Sequence, residues 1–262
     1  MKKLIPAFIV IMITSFASCK KDKKAVEPVD SPKTVISKDS TDDGTNTNNR
    51  QVRLFTYNSS KKLVKVSYKS GTSTTYDNYD TIYYTNGKMS QIMSYNVGNS
   101  TAYAMNYLSY NSSDQLEAAH ESGTNSHGGF DRNRIFTYTN GVLSSVSVTY
   151  YSGSSDGSPE NISSIVFTSG NISSAVLVDL SNTAATLTTD LTAPNPYYDL
   201  YFKTDNPLNI FNDNNVLKVY PTISPSSPIL DYSYTYANGR VATITDNTKS
   251  PVLVTYITYK TI

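Results

Sequence analysis

Six times along this chain a short run ending in an aromatic residue gives way to a polar turn and then to an apolar return. Arg53–Tyr57 precedes Leu63 and Val66; Thr81–Tyr84 precedes Asn86-Gly87, Met89 and Ile92; Tyr107–Tyr110 precedes Asn111–Asp114 and Leu116. Arg134–Tyr138 leads to Asn140-Gly141, Leu143 and Val146, and Ile165–Phe167 leads to Ser169-Gly170, Ile172 and Ala175. Tyr232–Tyr236, Asn238-Gly239, Val241 and Ile244 make the last copy. The anchors Tyr57, Tyr84, Tyr110, Tyr138 and Phe167 are 26 to 29 residues apart, a period that marks one supersecondary unit used repeatedly.

Each unit reads as a β-hairpin. Alternation of apolar or aromatic residues with Ser and Thr is the signature of a half-buried strand, and helical periodicity is hard to find after residue 50. Asn-Gly tolerates the positive φ angles of a type I′ turn, which matches the twist of the strands it joins. The apolar pair on the return strand is spaced by three, which on a flat strand would put its members on opposite faces. Either the first belongs to the turn or a bulge intervenes. All 22 tyrosines follow residue 50, and tryptophan is absent. Meandering hairpins of this kind predict an all-β fold: an antiparallel, strongly twisted sheet that stays a curled sheet or forms an incomplete barrel.

The first residues are of another kind. Lys2 and Lys3, an apolar run from Leu4 to Phe16, and Phe16-Ala17-Ser18-Cys19 follow the order of a secretory signal. With the only cysteine next to the cut, the segment resembles a bacterial lipoprotein signal peptide and its lipobox. That resemblance implies removal of residues 1–18, lipidation of Cys19 and attachment to a membrane through it. The apolar run is far shorter than the ~20 residues of a membrane-crossing helix. A lone cysteine leaves no intramolecular disulfide, so stability has to come from a packed core. Residues 20–50 hold Lys, Asp, Ser, Thr, Asn and Pro without an aromatic, a composition that does not offset the entropy of ordering. Residues 19–50 are therefore expected to form the lipidated cysteine and a flexible tether of roughly 30 Å, and residues 51–262 a single β domain.

The Tyr-x-Tyr, Asn-Gly, Leu-x-x-Val pattern resembles the YD or RHS repeat. Together with the lipobox it is similar to a family of Bacteroidota lipoproteins of unknown function that carry such repeats. The resemblance implies an outer-membrane, lipid-anchored envelope protein facing either the periplasm or the cell surface.

Chemistry is sparse. Residues 51–262 carry 13 Lys and Arg against 15 Asp and Glu, so there is no basic footprint for nucleic acid. The only histidines, His120 and His127, share a glycine-rich stretch with Glu121 and Asp131, but their spacing matches no zinc motif. Asp77 and Asp80 could be the paired carboxylates of glycoside hydrolysis, although Tyr-Asp-Asn-Tyr-Asp also reads as a turn. Asn212-Asp-Asn-Asn215 lacks the glycine and distal glutamate of a calcium loop. No phosphate cradle opens a helix. No metal, cofactor or catalytic residue is expected. The expected role is a non-catalytic binding or structural domain; the alternative is a carrier or glycan-binding lipoprotein using the curled sheet as a pocket for a glycan or a hydrophobic ligand. The proline-rich stretch 190–227 interrupts the repeat. It reads as a long connection or a lid, with one helical turn near Leu208–Asn212.

Overall fold

The computed structural model describes residues 32–45, 50–125, 128–152, 161–178, 183–197, 212–222 and 226–262. Its described residues form sixteen strands. The first five are β1 (Thr34–Asp42), β2 (Gln51–Tyr57), β3 (Leu63–Ser70), β4 (Asn78–Thr85) and β5 (Lys88–Asn96). Then come β6 (Ala104–Tyr110), β7 (Leu116–Asn125), β8 (Gly128–Thr139), β9 (Val142–Ser152) and β10 (Ile162–Thr168). The chain ends with β11 (Asn171–Leu177), β12 (Thr183–Pro194), β13 (Asn214–Pro221), β14 (Leu230–Ala237), β15 (Arg240–Asp246) and β16 (Leu253–Thr261). Each strand pairs antiparallel with its sequence neighbours, and β1 pairs with β16. The antiparallel meander thus closes into a complete barrel, where an open or incomplete one was expected.

The tight turns follow the backbone preferences of their residues. Asn86-Gly87, Asn140-Gly141, Ser169-Gly170 and Asn238-Gly239 all have positive φ at both positions, as type I′ turns require. Just after each turn the return strand bulges. Tyr57 faces Leu63 while Thr56 faces Lys65, so Val64 is the extra residue; Ser144 and Ala242 are extra in the same way. The bulge resolves the spacing of three, because it returns both apolar residues to the inner face. Leu63 and Val66 are 3% and 0% exposed, and Leu143, Val146, Ile172 and Ala175 are buried likewise.

A latch links each of the first four repeats to the return strand before it; the fifth has Phe167 in that place, and in the sixth the Tyr236 hydroxyl donates to Asp190 instead. The hydroxyl of Tyr57 donates to the carbonyl of Ile36, Tyr84 to Leu63, Tyr110 to Met89 and Tyr138 to Leu116, all at 2.9 Å. Tyr259 reaches Val241 in the same manner at 3.0 Å. The residue before the acceptor often covers the ring: Lys62 over Tyr84, Lys88 over Tyr110 and Arg240 over Tyr259, within 4.9 to 5.9 Å of the centroid. In these three the latch joins a hydrogen bond, contributing about 1 kcal/mol net, to a cation–π contact of ~0.5–1 kcal/mol at a wet surface. The repeated tyrosine is conformational hardware.

Inside the wall, Ile36, Phe55, Val66, Ile82, Ile92, Leu108, Phe136, Val146 and Val241 belong to one buried apolar cluster. Ile162, Ile172, Leu177, Leu187 and Val219 belong to a second, under β10–β13. Outward positions run largely to small hydroxyls, with Thr56, Thr137, Ser147, Thr149, Ser164, Thr168, Ser233, Thr235 and Thr258 exposed. Leu54, Tyr83, Tyr107, Val166 and Tyr256 are scattered among them.

Two expectations change here. Residues 34–42, inside the expected 19–50 tether, form β1, so the β domain begins near residue 33 and not at 51. Val35 and Ile36 bury their side chains, and β1 hydrogen-bonds to β16 on one side and β2 on the other, covering two strands that would otherwise be bare edges. The described part of the stretch 190–227 is largely strand where a connection was expected. It holds the end of β12 and all of β13, which pair with each other. Residues 208–211 of the expected helical turn lie outside the described residues, as do Cys19 and the signal segment 1–18.

Candidate functional site

The inner face is apolar near the tight turns and polar toward the other end. On β1 the change comes early. Asp39 stands three residues after Ile36, the place held by Val66, Ile92, Ala119 and Val146 on the other return strands, and it is 2% exposed. A carboxylate there requires a partner. Arg53, directly opposite on β2, supplies one with Nε at 2.9 Å from Oδ1 and Nη2 at 2.5 Å from Oδ2. The Tyr197 hydroxyl donates to Oδ2 at 2.8 Å, and the Arg53 guanidinium lies 5.4 Å over the Tyr197 ring. Burial pulls the Arg53 guanidinium down, but Tyr197 and Asp39 together outweigh it and leave its pKa raised. Burial, then Asp39, hold the Tyr197 phenol well above its ordinary range. The connection after β12 is therefore threaded to the interior at Tyr197.

Two more carboxylates follow. Asp80, 2% exposed, accepts from Ser94 Oγ at 2.5 Å and from the Tyr68 hydroxyl at 2.7 Å. Burial and then Asp80 push the Tyr68 phenol far up. Glu121 accepts from Asn106 Nδ2 at 2.9 Å and Arg132 Nε at 2.5 Å, with Arg134 Nη1 at 3.7 Å. Arg134 is itself 1% exposed. Every interior carboxylate of this group is met by at least two donors from its own chain.

Beside Arg53 and Asp80 the interior opens into a chamber of about 430 Å³ at the end opposite the Asn-Gly turns. Its walls include Gln51, Arg53, Tyr68, Asp77, Asp80 and Tyr103. Three adjacent strands and the residues just before β4 and β6 hold these groups, which gives the chamber a rigid frame.

The residues singled out from sequence separate. Asp77 and Asp80 do line one chamber, yet Asp77 is bound into its turn by the Ser70 amide and the Ser73 hydroxyl, each at 3.2 Å. His120 is on the outer face with Nε2 2.7 Å from Asp131 Oδ1, both side chains 40% exposed or more, whereas its neighbour Glu121 points inward. Adjacent strand residues face opposite ways, so these groups do not assemble. His127 lies outside the described residues. Among the described residues no group of three His, Cys, Asp or Glu side chains gathers as a metal site would. The asparagines near 212 fasten strands: Asn212 accepts from the Ile172 amide at 2.6 Å, and Asn171 accepts from the Asn214 amide at 2.8 Å. Outward Tyr79 and Tyr95 stack on each other at 5.2 Å, with Lys65 Nζ 4.0 Å over Tyr79, so they form no open coplanar platform.

The polar interior was the residue set missed. Its signal was present, because Arg53, Asp80, Asn106 and Arg134 each stand two positions before an inward apolar residue: Phe55, Ile82, Leu108 and Phe136. A period of two puts both on one face.

Fold and site define a closed antiparallel β-barrel with an apolar interior and a polar chamber at one end. No family model and no curated protein matches the chain. Among solved structures it is similar to a porin-like protein from Bacteroides uniformis ATCC 8492, with 15% identity over 86% of this chain and 96% of that one, and a TM-score of 0.50. A porin-like protein from Bacteroides vulgatus ATCC 8482 matches at 12% identity over 87% and 99%, with a TM-score of 0.38. At such identity the first likeness shows a shared fold, and the second carries no argument.

Proposed function

We propose that this chain is a membrane-anchored envelope lipoprotein whose barrel faces water and serves as a non-catalytic binding module. One observation carries this reading: the barrel's alternation is the inverse of a pore's. Transmembrane barrels turn apolar residues to lipid and polar residues to the lumen. Here Ser and Thr dominate the exposed outer positions while Phe55, Val66, Ile92 and Val146 are buried inside. A hydrocarbon environment would take the water from exposed hydroxyls such as Thr56, Thr137 and Thr149. Membrane attachment then falls to Cys19, whose setting resembles a lipobox. The absence of chemistry is supported by the carboxylates, since Asp39, Asp80 and Glu121 are committed to internal donors.

Reconstitution of the full chain in planar bilayers tests the first half. No stepwise current is expected, and stable channel currents would overturn the reading. Metabolic labelling with a radioactive fatty acid tests the anchor. Label should appear on the wild-type chain and vanish in Cys19→Ser, which should move to the soluble fraction.

A further inference from the structure

We infer that the chamber beside Arg53 and Asp80 is a binding site for a neutral, hydroxyl-rich ligand of the saccharide class. The inference rests on the water-facing reading, because a membrane pore would use the same residues to line a conduit. Its volume of about 430 Å³ falls within the range of small-molecule pockets. Its walls carry polar groups beside apolar surface, and an apolar ligand would strip water from Arg53 and Asp77 without replacing the lost hydrogen bonds.

Charge balance narrows the class further. The Arg53 guanidinium is matched by Asp39 in a two-point contact. Asp80 is matched by two hydroxyl donors, Tyr68 and Ser94, and Asp77 by the Ser70 amide and the Ser73 hydroxyl. Lys69, also on the wall, has its ammonium 5.9 Å over the Tyr76 ring. Apart from Lys69, which faces a ring and no carboxylate, the charged groups of the wall are already engaged, so a charged ligand would meet little dedicated counter-charge. A neutral polyol has no such cost. Each of its hydroxyls both donates and accepts, which suits a wall that mixes carboxylate and amide acceptors with guanidinium, phenol and amide donors. Tyr68 and Tyr103 add aromatic rings to the same wall.

Calorimetric titration of the full chain, held in a non-glycosidic detergent, tests the assignment. The probes are lactose, cellobiose, mannobiose and chitobiose, with digalacturonate and glucosamine as charged comparators. At least one neutral disaccharide should saturate the protein, and the charged sugars should bind at least about tenfold more weakly. Ser70→Trp places a bulky ring at the chamber rim and should abolish binding. Asn78 also lines the chamber, and Asn78→Ala, which removes its amide, should weaken binding by up to about tenfold; melting profiles of both variants should confirm that they fold. Absence of binding across the panel, preference for a charged sugar, or binding unchanged in folded Ser70→Trp would each overturn the inference. None of these results bears on bilayer current or Cys19 labelling, so the broader reading stands or falls separately.

Discussion

Ile36 on β1 stands opposite Tyr259 on β16 in the register by which Leu63 stands opposite Tyr57 within the hairpin β2–β3. The bulge recurs too, with Ser37 skipped at the seam as Val64 is skipped in the hairpin. The latches run straight through it, Tyr259 to Val241 on one side and Tyr57 to Ile36 on the other. The first and last strands are thus two halves of one repeat, joined by hydrogen bonds where other repeats have a turn.

A chain that starts at residue 51 should therefore fail to close. Removing β1 bares β2 and β16 and deletes Asp39, the partner of Arg53. We expect residues 51–262 to aggregate, and residues 33–262 to fold as a monomer with a cooperative thermal transition. Size-exclusion chromatography and circular dichroism distinguish the two.

The tyrosine latches should be separable and roughly additive. Tyr84→Phe and Tyr138→Phe each keep the ring and lose one hydroxyl bond, so each should cost about 1 kcal/mol, or about 2–4 °C in melting temperature. The two sites share no partner, and the double variant should show the sum. Phe167 already occupies the equivalent place in the fifth repeat, so the substitution fits the backbone. A double variant that melts with the wild type would refute the latch.

Gly123→Ala should be far more harmful than its size suggests. A Cβ there would lie 2.6 Å from Ala104 Cα and Cβ and from the Tyr103 carbonyl, where backbone cannot yield cheaply. A loss of about 1–3 kcal/mol is expected in urea unfolding. Because Tyr103 lines the chamber, the same variant should also alter ligand titrations.

Asp39→Ala leaves the Arg53 guanidinium without its carboxylate. Arg53 keeps 31% exposure, so water relieves part of the penalty. A loss of about 2–4 kcal/mol is expected, near the lower end for a broken buried pair. A double variant, Asp39→Ala with Arg53→Met, should recover part of it, and denaturant titration of the two would show whether it does.

Stability should fall in strong alkali. Burial, with a smaller contribution from Tyr110, raises the phenols of Tyr84 and Tyr138 to about 12, and burial, opposed by Arg240, raises Tyr259 to about 12, against 10.0 for a free tyrosine. The unfolded chain then loses these protons first, so ionisation favours unfolding. Their contribution is whole below pH 10 and drains away as pH climbs toward 12. Spectrophotometric titration of phenolate alongside thermal melts should show late ionisation coinciding with loss of fold.

Hairpins were legible because their determinants are local. Asn86-Gly87 selects its turn through backbone sterics, and the alternation of Phe55 with Thr56 and Tyr57 follows from the pleat. The bulge was visible only as a puzzle, since a spacing of three has two local explanations and pairing with the partner strand chooses between them. β1 was illegible for a different reason. Val35 and Ile36 are few among charged neighbours, and nothing near them in sequence says that β2 and β16 each lack a partner. Asp39 falls inside the expected tether; its burial depends on Arg53 and on Tyr197, which lies 158 residues away.

By itself the sequence determined a repeating antiparallel hairpin, its turn type, its period and the alternation of the outgoing strand. Those follow from dihedral preference and side-chain alternation, which act within a few residues. Only the tertiary structure decided that the sheet closes, that the closing strand comes from the supposed tether, and that charges sit inside. Each depends on which distant edges and side chains need a partner, and hydrogen bonding across the seam can supply one only once the whole meander has curled.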